Sequence, residues 1–325
     1  MDSMKKISFA LMSLLLCLMP FTAITNAQQL LEITLYTNKT HYWLGDPVQI
    51  YGSLLFNGSL VPDGLVGLEI DDPTAYAFLF RTLSTGTLPS TQEVEILSLF
   101  PSDQYGKPKN SFTRGYQAYF NVTIRNNNDT TISFYVTLTC FDSANAIMDS
   151  IRWNTTLLPH TIGRYVMPFY ILDQAATGTA TVYANTFTKL PKQGGTPLSI
   201  EKSATFTITS TTTALSQTIK TLTTQETGNY STTFIVPLYQ YPGSYNVYTS
   251  SRYNNQTVAT QKSIEIWVPD INNDGSVDVL DLILVSTKLG WTGSPGAIIE
   301  DVNMDGEVNV LDLIIVAKFL GWESQ

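Results

Sequence analysis

Residues 270–291, DINNDGSVDVLDLILVSTKLGW, return 31 positions later as DVNMDGEVNVLDLIIVAKFLGW over 301–322, with 14 of the 22 positions identical. So close a duplication at so short a period describes one supersecondary unit used twice, each copy needing the other to bury its apolar face. Each copy opens with D-x-N-x-D-G and runs on into an apolar stretch with helical spacing. The C-terminal part is therefore expected to be a compact pair of loop–helix units.

The loops carry the chemistry of a hard cation. Ca²⁺ takes about 6 to 8 oxygen ligands, and a twelve-residue loop supplies them from positions 1, 3, 5, 7, 9 and 12. In the first loop these are Asp270, Asn272, Asp274, the backbone carbonyl of Ser276, Asp278 and Asp281, with Gly275 at the bend. In the second they are Asp301, Asn303, Asp305, the carbonyl of Glu307, Asn309 and Asp312, with Gly306 at the bend. Val277 and Val308, at position eight, are expected to pair with each other in a short two-stranded contact. Two Ca²⁺ ions are the expected cofactors.

Helical spacing then sorts the apolar residues into two faces. At about 100° per residue, Leu282, Val285 and Leu289 share one face, and Val279, Leu280, Ile283 and Leu284 spread over another with Thr287. The second copy repeats the plan, with Leu313, Val316 and Leu320 inward and Val310, Leu311, Ile314 and Ile315 on the other side. A two-helix module this small cannot cover both faces, so one is expected to meet a partner or the chain's own body.

A duplicated half EF-hand at short spacing, with Asp in the twelfth place and an L-G-W ending, resembles the dockerin module of cellulosomes and of related archaeal and bacterial surface proteins. The resemblance covers residues 268–323. It implies a cohesin-type partner, met at loop positions ten and eleven and further along the same helices. Those places hold Val279, Leu280, Val310 and Leu311, so the implied contact surface is apolar.

From Leu30 to Trp267 the pattern changes to strand after strand, rich in Thr, Tyr, Val and Ile, with Gly, Pro and Asn clusters between them. Ala118, Phe120, Val122 and Ile124 alternate with Gln117, Tyr119, Asn121 and Thr123, giving one buried and one wet face. Segment 97–208 holds enough strands for a sandwich by itself. The flanks hold about four each, around Ile33, Ile50, Leu68 and Phe80 before it and Leu222, Phe234, Val247 and Ile264 after it. The runs KTHYWLGDPVQIYGSLLFNGSLVPDGLVGLEI and GNYSTTFIVPLYQYPGSYNVYTSSRY look like the macroglobulin-type or bacterial Ig-like modules of archaeal cell-surface proteins. The middle piece, with GYQAYFNVTIRNNN and GTATVYANTFT, is similar to CARDB-like adhesion sandwiches.

The fold class expected is thus mainly β: two Ig-like antiparallel β-sandwiches, one inserted in the other, followed by a small α-helical module with two EF-hand-like loops. The domains are 1–27 as a signal peptide, 28–96 with 212–267 as a discontinuous sandwich, 97–211 as the inserted CARDB-like sandwich, and 268–325 as the dockerin-like calcium module. Two half-size domains in series remain the alternative arrangement for the flanks.

Lys5 and Lys6 before the apolar run Ile7–Phe21, ending at Thr25, Asn26 and Ala27, read as an export signal. An uncleaved anchor is the other reading of that run. Cys17 lies inside it, which leaves Cys140, in strand register with Phe134, Val136 and Leu138, as a buried apolar residue rather than half of a disulfide. Sequons start at Asn38, Asn57, Asn121, Asn128, Asn154, Asn229 and Asn255, which suits an exported glycoprotein. The net charge of −9, with no basic cluster, argues against a nucleic-acid partner.

An enzyme is not expected. The two histidines, His41 and His160, sit in no triad or zinc pattern, and Asp71 with Asp72 reads as a turn before Pro73. The expectation is a secreted, non-catalytic adhesion or scaffold protein, free or associated with the cell surface, that docks onto a cohesin-like partner. Two alternatives stay open. One is a carbohydrate-binding accessory of a polysaccharide-degrading complex, with Tyr42, Trp43, Trp153, Tyr239, Tyr241 and Tyr245 as platform candidates. The other is a calcium module that serves only as an intramolecular clasp, closing on its own sandwich near Trp267.

Overall fold

The computed structural model describes residues 30–210 and 227–324. The signal peptide, Cys17 and the strand expected around Leu222 lie outside the described residues. With 52% of the described residues in strands and 8% in helix, the protein is mainly β.

The early strands are β1 (Leu31–Ile33), β2 (Tyr36–Thr37), β3 (His41–Trp43), β4 (Pro47–Phe56), β5 (Ser59–Leu60), β6 (Leu65–Asp71) and β7 (Ala77–Ser84); apolar and polar residues alternate in β1 and β4, while β6 and β7 are buried on both faces. The middle of the chain supplies β8 (Val94–Ser102), β9 (Ser111–Thr113), β10 (Gln117–Asn126), β11 (Ile132–Phe141), β12 (Ile147–Leu157), β13 (Ile162–Tyr170), β14 (Gly178–Phe187) and β15 (Lys202–Thr209). After these come β16 (Asn229–Ile235), β17 (Gly243–Tyr253) and β18 (Gln256–Trp267).

Strand pairing ties the two flanks together. β16 lies antiparallel to β4, while β17 joins β6 and β18 joins β3, giving sheets in the orders β1-β4-β16 and β3-β18-β17-β6-β7. Val48, Ile50, Leu54, Tyr230 and Phe234 from one sheet share a core with Leu68, Ile70, Tyr245, Val247 and Ile264 from the other. The middle strands pair among themselves, in the orders β13-β10-β8 and β12-β11-β14-β15-β9. Their core joins Phe120, Val122 and Ile124 to Phe134, Val136, Leu138 and Cys140. Burial there pushes the Cys140 thiol well above its usual range.

One turn design recurs at three hairpins. Asp72, Asp103 and Asp142 each accept backbone N–H bonds from the residues two and four places on, at 2.9 to 3.0 Å. Each turn then needs a left-handed residue, filled by Ala75 (φ 64°), Gly106 (φ 80°) and Asn145 (φ 62°). Asp72 therefore does serve a turn; Asp71, still in β6, is buried with Glu69 against Lys192 of the second sandwich.

The two sandwiches meet over an apolar centre of Ala77, Phe80, Phe187 and Leu190. Around it run buried polar links. Arg81 donates to both oxygens of Glu201 at 2.7 to 3.0 Å, with its guanidinium 3.7 Å from the Tyr183 ring centroid. Thr139 Oγ1 accepts from Phe80 N and donates to Phe80 O.

Candidate metal-binding and docking site

The C-terminal module contains β19 (Ser276–Val277), α1 (Val279–Thr287), α2 (Val310–Lys318) and β20 (Trp322–Glu323). Each helix starts on a reciprocal capping box. The Asp278 side chain accepts from Leu280 N at 2.7 Å, and the Asp281 carboxylate accepts from Asp278 N at 2.8 Å. Asn309 and Asp312 repeat the arrangement for α2. The residues expected as ninth and twelfth ligands thus also fix where each helix begins.

The loops close through their own carboxylates. Asp270 accepts from Asp274 N and Gly275 N, and Asp301 accepts from Asp305 N and Gly306 N. Asp281 reaches back to Ile271 N at 2.7 Å, and Asp312 to Asn303 N at 3.0 Å. Gly275 and Gly306 both stand at φ 90°, where a side chain would strain the bend. Hydrogen bonds from Ser276 and Asn272 hold the Asp274 carboxyl below its usual range.

The donor set fits a hard cation on electrostatic grounds. Asp281 and Asp312 are fully buried and Asp301 is 2% exposed, yet none of them joins any ion pair among the described residues. Buried carboxylates without a positive partner are costly, and Ca²⁺ would remove that cost. No cluster of three or more His, Cys, Asp and Glu side chains in metal-holding arrangement stands out among the described residues.

The loops do not pair with each other. Val277 pairs with Trp322, and Val308 N donates to Trp291 O at 2.9 Å. This corrects the expected Val277–Val308 contact. Each L-G-W tail turns at a left-handed glycine, Gly290 (φ 87°) or Gly321 (φ 88°), and crosses to the loop of the other copy, where Gly290 N bonds Val308 O and Gly321 N bonds Val277 O. The copies are therefore interlocked by their tails.

The helix faces divide mostly along the expected lines. Val285 and Val316 are fully buried. Val279, Leu280, Ile283, Val310, Leu311 and Ile314 form a stripe whose members are 48 to 61% exposed. Thr287 is exposed beside it, while Leu284 and Ile315 are half-buried, Ile315 packing on the core. Leu289 and Leu320 are exposed rather than inward, because α1 and α2 end before them and the chain turns away.

The rear of the module rests on the first sandwich. Phe319 is buried and meets Trp43 edge-on, with Trp43 in turn edge-on to Trp267. Sequence reasoning missed Phe319. The signal available was its counterpart in the first copy, Lys288, since a charge replaced by an aromatic in a close repeat marks a change of surroundings.

The remaining candidates scatter. Tyr42 and Tyr245 are core residues, Trp43, Trp153 and Tyr239 are half-buried, and Tyr241 is exposed. Asn38, Asn57, Asn154 and Asn255 are exposed, and Asn121, Asn128 and Asn229 are half-buried. His160 meets Asp129 at 2.8 Å in solvent, and the His41 ring lies 4.5 Å from that of Trp267, tilted by 50°.

A dockerin type I domain is found at residues 268–321. No curated protein matches the chain in sequence. Similar solved structures include the Pseudomonas fluorescens alkylpurine DNA glycosylase AlkC bound to DNA containing an abasic site analog. That match has 14% identity and a TM-score of 0.27, covering 36% of this chain and 30% of that one. Bacteroides uniformis beta-glucuronidase 2 gives 8% identity and a TM-score of 0.28, covering 50% and 26%. A beta-glucosidase from Listeria innocua gives 12% identity and a TM-score of 0.25, covering 38% and 16%. The chain spans less than a third of each of these proteins, and likenesses this weak carry no functional argument.

Proposed function

We propose that this chain is an exported, non-catalytic adhesion or scaffold protein whose C-terminal dockerin binds two Ca²⁺ ions and docks onto a cohesin-type partner. Dockerin domains bind calcium and dock onto cohesins, and the dockerin match gives that general reading its footing. The carrying observation is the stripe of six apolar side chains left exposed on α1 and α2 while the opposite side of the module packs on the sandwich. Each ion would be held by Asp270, Asn272, Asp274, Ser276 O, Asp278 and Asp281, or by Asp301, Asn303, Asp305, Glu307 O, Asn309 and Asp312. Bound there, the cation supplies charge to buried carboxylates and fixes the loop that starts each helix.

The sandwiches, the second inserted in the first, would serve as the displayed part, with glycan on the exposed sequons. Among the described residues no helix is long and apolar enough to cross a membrane. The clasp reading is favoured by one observation, the Trp43–Phe319 contact, but that contact uses a different face from the stripe, so mooring and docking are compatible.

Calorimetry on the full chain, followed by capture on a panel of immobilised cohesins with and without chelator, tests the proposal. Two ions and chelator-sensitive capture are expected. Ion binding without capture, together with loss of stripe accessibility to a hydrophobic dye, would replace docking with a clasp.

A further inference from the structure

The two copies of the repeat are nearly identical in their loop ligands but not in their surroundings. Of the eight positions where the second copy departs from the first, five gather on one side. Ile271, Asn273, Leu284, Thr287 and Lys288 become Val302, Met304, Ile315, Lys318 and Phe319. Those five second-copy residues border the grooves that separate the dockerin from Trp43 and Trp267 on the first sandwich, with cavity volumes of about 270 to 440 Å³. Loop one reaches these grooves only through its entry, Asp270 and Ile271.

Burial follows the same division. In loop two Asp301 and Gly306 are buried and Asn303 is half-buried, where in loop one Asp270 and Gly275 are half-buried and Asn272 is exposed; the fifth-position pair, Asp274 and Asp305, is exposed in both. Asp301 also accepts a bond from Gly296 N at 2.9 Å, which ties loop two to the segment between the helices. A side chain at Gly306 would meet the carbonyl oxygen of Gly293 at 2.7 Å, so the same segment lies flat against the loop's bend.

Resting on the calcium reading above, we infer that the copies have divided their labour: loop two is the anchor whose ion secures the dockerin to the first sandwich, and loop one loads without affecting that junction. The physical link is short. Asp301, Val302, Asn303 and Met304 are consecutive, so the same backbone that presents ligands one and three to the ion presents Val302 and Met304 to the tryptophans. An ion that fixes the first and third ligands fixes the two residues alternating with them. Loop one presents only Ile271, at its entry, to the groove, and has Asn273 where loop two has Met304, so it lacks the second apolar contact and the groove-lining Asn303 that loop two supplies. Electrostatics does not oppose the division. Loop one carries Asp278 where loop two carries Asn309, which tunes its affinity without giving it contact with the sandwich.

The test uses the full chain with equivalent changes in the two loops, Asp274→Ala and Asp305→Ala. Ion stoichiometry is read by calorimetry, and junction opening by hydrogen exchange of peptides covering 39–46 and 261–268. Each variant is expected to bind one ion. Exchange at the junction is expected to rise about tenfold or more in Asp305→Ala and to stay within about twofold of wild type in Asp274→Ala. Equal exchange in the two variants overturns the division of labour while leaving two-ion binding intact. A wild type that binds no ion overturns the calcium reading itself. Should Asp305→Ala unfold the module, Phe319→Lys, which restores the first copy's residue, is expected to open the junction while both ions still bind; retained protection there also overturns the inference.

Discussion

The rings of Trp43 and Phe319 lie 6.3 Å apart at 61°, joining the first sandwich to the end of the last helix. Edge-to-face pairs of this kind contribute about 0.5 to 1.5 kcal/mol beyond the area they bury. Phe319 is 5% exposed. Phe319→Ala is therefore expected to cost about 3 kcal/mol, within the range for emptying an aromatic core site. Trp43→Ala should be partly non-additive with it, by about 1 kcal/mol. Chemical denaturation of the two single variants and the double variant measures both; strict additivity would mean the rings do not interact.

How far the sequence anticipates this module depends on how local the physics is. Ligand spacing, bend glycines and the exposed stripe all follow from a few neighbouring residues, so Asp270 to Asp281 and their copies are legible without a structure. The Val277–Val308 pairing misleads because a strand partner is chosen by where the chain returns, and that is set by Gly290 and Gly321, outside the loops. Leu289 and Leu320 mislead because helical periodicity cannot say where a helix stops. In the sandwiches, alternation reveals β10 and the register that buries Cys140. It cannot show that β6 turns Glu69 and Asp71 toward Lys192, because that face is polar and reads as wet.

Removal of one buried ligand should silence one loop alone. Asp281→Ala takes away the carboxylate that Ile271, Asn272 and Asp278 share through their backbone N–H groups. Calorimetry is expected to show one ion instead of two, with loss of part of the helical circular dichroism. An ion present at 100 times its dissociation constant adds about 2.7 kcal/mol to stability, so chelation of the wild type should lower the melting temperature measurably. Retention of two ions by Asp281→Ala would remove that residue from the ligand set.

Arg81 and Glu201 bind the two sandwiches to each other from 13 and 12% exposed side chains. Removing one partner leaves a buried charge, so Arg81→Met is expected to cost about 3 to 5 kcal/mol. Arg81→Met with Glu201→Leu should recover much of that loss, because no charge is then stranded. Urea unfolding of the three proteins checks the order; a double variant no better than Arg81→Met would mean that stacking on Tyr183, rather than the ion pair, dominates.

The pair Glu69 and Asp71 gives the sandwich interface a pH dependence of unusual sign. Burial, with the neighbouring Asp71 charge adding to it, raises the Glu69 carboxyl from 4.5 to about 7, against the lowering effect of Lys192. The folded protein therefore holds a proton between roughly pH 4.5 and 7 that the unfolded chain releases. Because the folded state binds more protons in that window, stability falls as pH rises through it and is flat above about 7. Asp142 and Asp149 are raised by burial too and act in the same direction at lower pH. The stabilisation lost between pH 5 and 7.5 is expected to be on the order of 1 to 3 kcal/mol. Urea unfolding across that range, at saturating Ca²⁺ so that the loops do not titrate, measures it. Glu69→Gln keeps the hydrogen bond from Lys192 N within reach while removing the titration, and should flatten the slope. An unchanged slope in that variant would shift the proton to another carboxyl of the interface.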